Sequence, residues 1–140
     1  MKGLLSLYYW TIGWVYYGLV LLSVYIVSYF QAPQTYDAWL RRRTKALFKF
    51  INCKLQIDYA EELPEGEPLI FMANHSSLID LPLLKAVVPK CYVGLLAENH
   101  TNYFMYGSMV KRMGNIPIKR ENIRASLKSF NLAKQALQQG

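Results

Sequence analysis

From Gly3 to Phe30 the chain runs for 28 residues without a charge, and this stretch holds two of its three tryptophans and six of its eleven tyrosines. A helix through it at about 1.5 Å per residue is roughly 42 Å long, against a hydrocarbon core of about 30 Å. One tilted span therefore fits. The alternative is a re-entrant hairpin bending at Gly13 or Gly18, whose arms of about 21 Å are too short to cross and would lie half-inserted or at the interface. The run is about twice a usual signal-peptide core. No small-x-small cleavage pattern follows it in Tyr29-Phe30-Gln31-Ala32-Pro33, which argues against a removed leader. Tyr8, Tyr9, Trp10, Tyr29 and Phe30 lie near its two ends, where amphipathic rings favour the headgroup layer.

The charge lies elsewhere and is unevenly spread. Residues 31–57 carry six basic side chains and Asp37, residues 58–67 carry five acidic ones, and residues 85–140 are again basic, within a net charge of +7. Lys2 precedes the apolar run, whereas Arg41, Arg42, Arg43, Lys45, Lys49 and Lys54 follow it closely. The positive-inside rule then leaves the bulk of the chain in the cytoplasm. Cys53 and Cys91 lie far apart with no Cys-x-x-Cys pattern, which fits a reducing compartment and neither a disulfide framework nor a structural zinc site.

On a helical wheel Leu40, Thr44, Leu47, Phe48, Ile51 and Leu55 share one sector, and Arg41, Arg42, Lys45 and Lys49 the adjoining one. This predicts a basic amphipathic helix over 37–54, lying on anionic lipid, packing its apolar side on its own domain, or doing both. Nucleic acid is excluded as a partner by the apolar leader and the lack of any nucleic-acid-binding module. The organisation expected is a membrane segment and linker over 1–36, the interfacial helix over 37–54, and an α/β domain over 55–140.

Within that domain, Leu55–Tyr59 alternates like a short strand, and the acidic stretch with Pro64, Gly66 and Pro68 reads as a surface loop. Leu69–Ala73 is a continuous apolar run, as a buried strand should be. A helix over Leu81–Val88 stops at Pro89, Cys91–Ala97 is a second buried strand, and a helix near Asn102–Met113 ends at Gly114. Asn115–Lys119 is a third strand, near an edge because of Pro117. Asn122–Gln139 puts Ile123, Leu127, Phe130 and Leu137 on one helical stripe, with Gly140 as its C′ residue. Strands alternating with helices define the α/β class, and another strand is expected after the last helix.

The residues with most chemical content are Asn74-His75-Ser76-Ser77-Leu78-Ile79-Asp80, at the carboxyl end of an expected buried strand and the start of a helix, where sites form in open α/β sheets. His75 and Asp80, five residues apart, cannot share a helix face if both are helical. With His75 in the turn and Asp80 in the first helical turn, the carboxylate reaches the imidazole. A carboxylate on Nδ1–H fixes the tautomer and leaves Nε2 to take a proton from a hydroxyl. Ser77-x-x-Asp80 is equally a capping box, with His75 a loop residue. Pro82 favours a helix start nearer Asp80. No Gly-x-Ser-x-Gly elbow surrounds Ser76 or Ser77, His100 reads as an exposed loop residue, and no ligand spacing marks a metal site.

This heptapeptide resembles the Asn-His-x-x-x-x-Asp signature of glycerolipid acyltransferases, and Gly114-Asn115-Ile116-Pro117-Ile118-Lys119-Arg120 resembles their second block, Gly-x-Ile-x-Ile-x-Arg. The similarity extends over about 37–140 and is greatest to the 1-acylglycerol-3-phosphate acyltransferases. It implies that His75 is the general base and Asp80 its orienting partner. It also implies that Arg120, with Asn74 and Gly114, serves the acceptor, Arg120 at the phosphate. The implied reaction moves a fatty acyl group from acyl-CoA or acyl-carrier protein to the free hydroxyl of lysophosphatidate, with no cofactor. Taken without the resemblance, Arg120 is a solvated cation beside Lys119.

Two features depart from that pattern. Phe104 stands where the family usually has a proline ahead of the second block, and the third block, Phe-Pro-Glu-Gly-Thr-Arg, does not occur before Gly140. The sequence therefore reads as the amino-terminal part of such an enzyme, expected to show little acyl transfer by itself and to leave a sheet edge open. The competing readings are an acyltransferase for another acceptor, such as glycerol-3-phosphate or another lysophospholipid, and a non-enzymatic membrane-surface module that binds anionic lipid and carries an idle His-Asp pair.

Overall fold

The computed structural model describes residues 2–59, 61–64, 66–119 and 123–139, which are mostly helical and include one two-stranded sheet. They form two compact units, residues 1–58 with 75–91 and residues 59–74 with 92–140.

In the first unit, helix α1 (Lys2–Val27) is continuous through Gly13 and Gly18, so the hairpin alternative is not adopted. Its Gly3–Val27 stretch is long and apolar enough to cross a membrane. Helix α2 (Pro33–Phe50) opens with a proline, whose missing N–H costs nothing in a first turn. It runs back along the C-terminal half of α1. Gly13 lies against Ile51, where an added Cβ would come within 2.5 Å of Cγ2. The Tyr16 hydroxyl donates to the Arg43 carbonyl at 3.2 Å, and its ring lies 4.6 Å from that of Phe50. Towards the other end, Ser23, Val24, Tyr36 and Trp39 line one crevice. Gly13, Val20, Val24 and Ser28 are the buried stripe of this segment, and α2 answers with Tyr36, Leu40, Thr44, Leu47 and Phe48.

The amphipathic helix is thus displaced from its expected span. It stops at Phe50 because Asn52 takes a left-handed backbone, φ 53°. Its N–H then bonds the Lys49 carbonyl at 3.1 Å while Cys53 N–H bonds that of Phe48 at 2.7 Å, a Schellman termination. Leu55 consequently leaves the wheel. Arg42, Arg43, Lys45 and Lys49 are exposed, whereas Arg41 turns inward to an ion pair with buried Asp37. Asp37 also pairs with Lys85 on helix α3 (Asp80–Val87), joining α2 to α3.

In the second unit, strand β1 (Leu95–Ala97) pairs in parallel with β2 (Ile116–Ile118), Leu95 opposite Ile116 and Ala97 opposite Ile118. Between them lie a 3-10 turn (Glu98–Asn102) and helix α4 (Tyr106–Arg112). The single helix expected over 102–113 is therefore broken. Met105 has φ 61° and ψ −55°, and Tyr106 N–H bonds the Phe104 carbonyl at 2.7 Å, a tight γ-turn. His100 belongs to the 3-10 turn and stacks on Tyr103 at 5.7 Å, half-buried where an exposed loop residue was expected. The α4 helix closes at Gly114, whose φ of 79° suits only glycine. Asn115 Oδ1 then accepts the Gly94 N–H at 2.8 Å, while its own Nδ2 donates to the Val110 carbonyl at 3.1 Å. This asparagine ties the start of β1 to α4.

Two expected strands are absent among the described residues. Leu55–Tyr59 and Leu69–Ala73 have no ladder partner, and Ile70 and Met72 are 75% and 91% exposed. A buried strand needs hydrogen-bonding neighbours as well as apolar side chains, and an apolar run supplies only the latter. The sheet is therefore smaller than the α/β expectation.

Helix α5 (Ile123–Gln139) packs on β2 with a different face from the one its apolar stripe predicts. Ser129 is buried and donates to the Pro117 carbonyl at 2.7 Å, and Ser126 donates to that of Lys119 at 2.5 Å. Small side chains let the helix approach closely enough for hydroxyls to reach strand carbonyls, which turns Leu127 and Phe130 outward. Arg120, Asn122 and Gly140, to which the sequence assigned a phosphate contact, a helix start and a cap, lie outside the described residues.

Candidate active site

The first unit places His75 and Asp80 together. Asp80 is the first residue of α3 and His75 lies just ahead of the Ser77–Ile79 turn that leads into it, so the two side chains meet across that turn with Nδ1 and Oδ2 3.0 Å apart. A carboxylate only accepts, so the shared proton sits on Nδ1 whenever the ring is neutral, and Nε2 is left as the basic nitrogen. The imidazole side chain is 52% exposed and the carboxylate 19%.

The same Oδ2 also accepts the backbone N–H groups of Ser76 and Ser77, each at 2.8 Å. Three donors on one oxygen favour the ionised carboxyl. Asp80 accordingly titrates below the usual carboxylate range, first because of the His75 hydrogen bond, then the Ser77 and Ser76 N–H groups. The two sequence alternatives are therefore not exclusive. Asp80 fulfils its half of a capping box by binding the Ser77 N–H. The other half does not form, because Ser77 Oγ instead receives the Ile79 N–H at 3.4 Å and Asp80 N–H goes to the Ser77 carbonyl at 3.2 Å. Pro82 is the third residue of α3, within the turn whose N–H groups have no intrahelical acceptor, so it removes nothing.

Asn74 and Gly114 belong to the second unit. Asn74 is exposed in an irregular stretch, and Gly114 provides the left-handed turn that leads α4 into β2. Arg120 lies outside the described residues. The pattern Asn-His-x-x-x-x-Asp did not reveal that the backbone of Ser76 and Ser77 holds the carboxylate. A serine pair in a turn ahead of a helix, with an acidic residue three positions on, is the signal for it.

Chemically, an imidazole oriented by a carboxylate and half open to solvent can take a proton at Nε2 and return it. A family model described as acyltransferase matches residues 54–140. No curated protein and no solved structure matches the chain.

Proposed function

Because the chain belongs to the acyltransferase family, we propose that it moves a fatty acyl group from acyl-CoA or acyl-carrier protein to the free hydroxyl of lysophosphatidate, giving phosphatidate. The observation that supports this most directly is the His75–Asp80 pair, with its carboxylate held by two backbone N–H groups.

His75 Nε2 takes the proton of the acceptor hydroxyl as its oxygen attacks the thioester carbonyl carbon. The C–O bond forms, the tetrahedral adduct collapses with loss of the C–S bond, and the imidazolium returns its proton to the departing thiolate. Asp80 holds the ring and offsets the imidazolium charge through Nδ1. The hydroxyl attacks directly, so the sequence of steps contains no acyl-enzyme. In this reading Arg120 takes the acceptor phosphate through its paired N–H groups, with Asn74 and Gly114 shaping the surroundings.

The chain acts at a membrane surface facing the cytoplasm. Because α2 lies along the C-terminal half of α1, burying all of α1 in hydrocarbon would draw Arg42, Arg43, Lys45 and Lys49 in with it, at about 3 kcal/mol each near the bilayer centre. An interfacial seat avoids that cost. The exposed apolar residues of 3–12 enter one leaflet, and the basic side chains of α2 meet anionic headgroups.

The test is acyl transfer in vesicles by the 140-residue chain. Donors are acyl-CoA and acyl-carrier protein, and acceptors are lysophosphatidate, glycerol-3-phosphate and other lysophospholipids. Preferential acylation of lysophosphatidate, lost in His75→Ala with membrane attachment retained, is the expected result. Preference for another acceptor would move the assignment within the family, and full activity of His75→Ala would overturn the mechanism.

A further inference from the structure

Asp37 sits one turn into α2 with its side chain only 5% exposed, and it makes two ion pairs. Oδ2 faces Arg41 Nη2 at 3.1 Å, and Oδ1 is held by Lys85 Nζ. Arg41 also donates through Nη1 to the carbonyl of Pro89, just beyond the end of α3. One buried carboxylate on α2 therefore holds α3 in its last turn, at Lys85, and through Arg41 just beyond its exit.

Helices α2 and α3 also pack directly on each other. The buried residues of α3 are Pro82 and Ala86, small side chains that do little to oppose sliding along a neighbouring helix. Directional bonds from a carboxylate do oppose it. Buried ion pairs add little net stability over apolar packing, and their best-attested contribution is fixing register. Lys85 is five residues, about 7.5 Å along the helix axis, from Asp80.

We infer that Asp37 is a positioning residue of the acyl-transfer site. It acts through Lys85 and Arg41 to hold α3, and hence Asp80 and His75, in one register on the α1–α2 helix pair. This rests on the reading of His75–Asp80 as the catalytic pair. Neither spacing nor composition marks Asp37 for this role, because Lys85 lies 48 residues away in sequence.

The test compares Asp37→Asn, Asp37→Glu and Lys85→Met with the unaltered protein in vesicles. It measures kcat and KM per folded molecule, and the 15N shifts of the two His75 ring nitrogens. Asp37→Asn is expected to lower kcat by about tenfold or more with donor KM changed by less than about twofold. The neutral imidazole should move from the Nδ1–H form towards the Nε2–H form, and Asp37→Glu should restore both readouts in large part. Lys85→Met, which leaves Asp37 paired with Arg41, is expected to give the same signature and carries the test if Asp37→Asn fails to fold. A lower melting temperature with unchanged kcat and unchanged tautomer would reduce Asp37 to a stabilising residue and overturn the inference. His75→Ala run alongside separates the two readings. Full activity there overturns the catalytic role, whereas activity lost there but intact in Asp37→Asn overturns only the positioning role.

Discussion

His75 Nδ1 lies 3.0 Å from Asp80 Oδ2 because α3 begins only at Asp80, after a turn. Had α3 started at His75, the two residues would stand about 140° apart around the helix. The turn at Ser77–Ile79 converts that separation into contact, and the Ser76 and Ser77 N–H groups fasten the same Oδ2.

Asp80→Asn retains an oxygen for the serine N–H groups but removes the anion that steadies the imidazolium. Acyl transfer is expected to fall by about a hundredfold or more. Asp80→Ala should lose similar activity and, having no acceptor for the two N–H groups, should also melt at a lower temperature than Asp80→Asn. Equal melting temperatures would show that the backbone bonds contribute nothing to holding the turn.

The depressed titration of Asp80 sets a pH window. Its folded value lies below its unfolded one, so the stabilisation it gives is fully present above the ordinary carboxylate range, near 4. It fades as pH falls through the lower, folded value. Carboxyl 13C shifts followed from pH 7 downward should place Asp80 below the other aspartates, and His75→Ala should raise it, because the imidazole bond is the largest cause. An Asp80 midpoint within the range of the exposed carboxylates would contradict the geometry.

Gly107→Ala is a packing test outside the candidate site. The new Cβ would fall on the Thr101 carbonyl, a backbone atom that cannot swing aside. A loss of about 2 kcal/mol is expected in denaturant unfolding. Gly18→Ala, whose added methyl meets nothing within 4 Å, is the matched control and should be neutral or slightly stabilising.

The proposed interfacial seat predicts topology as well as affinity. A tag at the amino terminus and the exposed thiol of Cys53 should both react with an impermeant reagent from the same side of a sealed vesicle. Reaction from opposite sides would establish a span. Replacing Arg42, Arg43, Lys45 or Lys49 by Gln should weaken binding to anionic vesicles by about fivefold per charge at low salt, with little effect on neutral vesicles.

Much of the local structure is set by single residues and is readable from them. Pro89 follows the end of α3, Gly114 closes α4, and the uncharged run makes α1. The His-Asp spacing marks the candidate site, and its resemblance to acyltransferases agrees with the family match. Each of these follows from a backbone preference or a length within a few neighbouring residues. Asn52 ends α2 by the same kind of local preference, although the wheel carried the helix past it to residue 54.

What needed the tertiary structure depends on partners distant in sequence. Leu69–Ala73 has the composition of a buried strand and no ladder, because pairing is decided by whichever segment lies alongside. The apolar stripe of α5 does not choose its packing face, because Ser126 and Ser129 reach the carbonyls of β2 and set the helix rotation. Arg41 counts as one more surface cation until Asp37 and Pro89 draw it inward. The sequence by itself determined that there is an apolar helix, a basic one behind it, and a histidine within reach of an aspartate. Only the tertiary structure decided that α2 folds back along α1, and that a buried carboxylate on α2 grips the helix bearing Asp80. A periodicity reports which side of a helix is apolar, but hydrogen bonds and ion pairs between distant segments are directional and decide what that side meets.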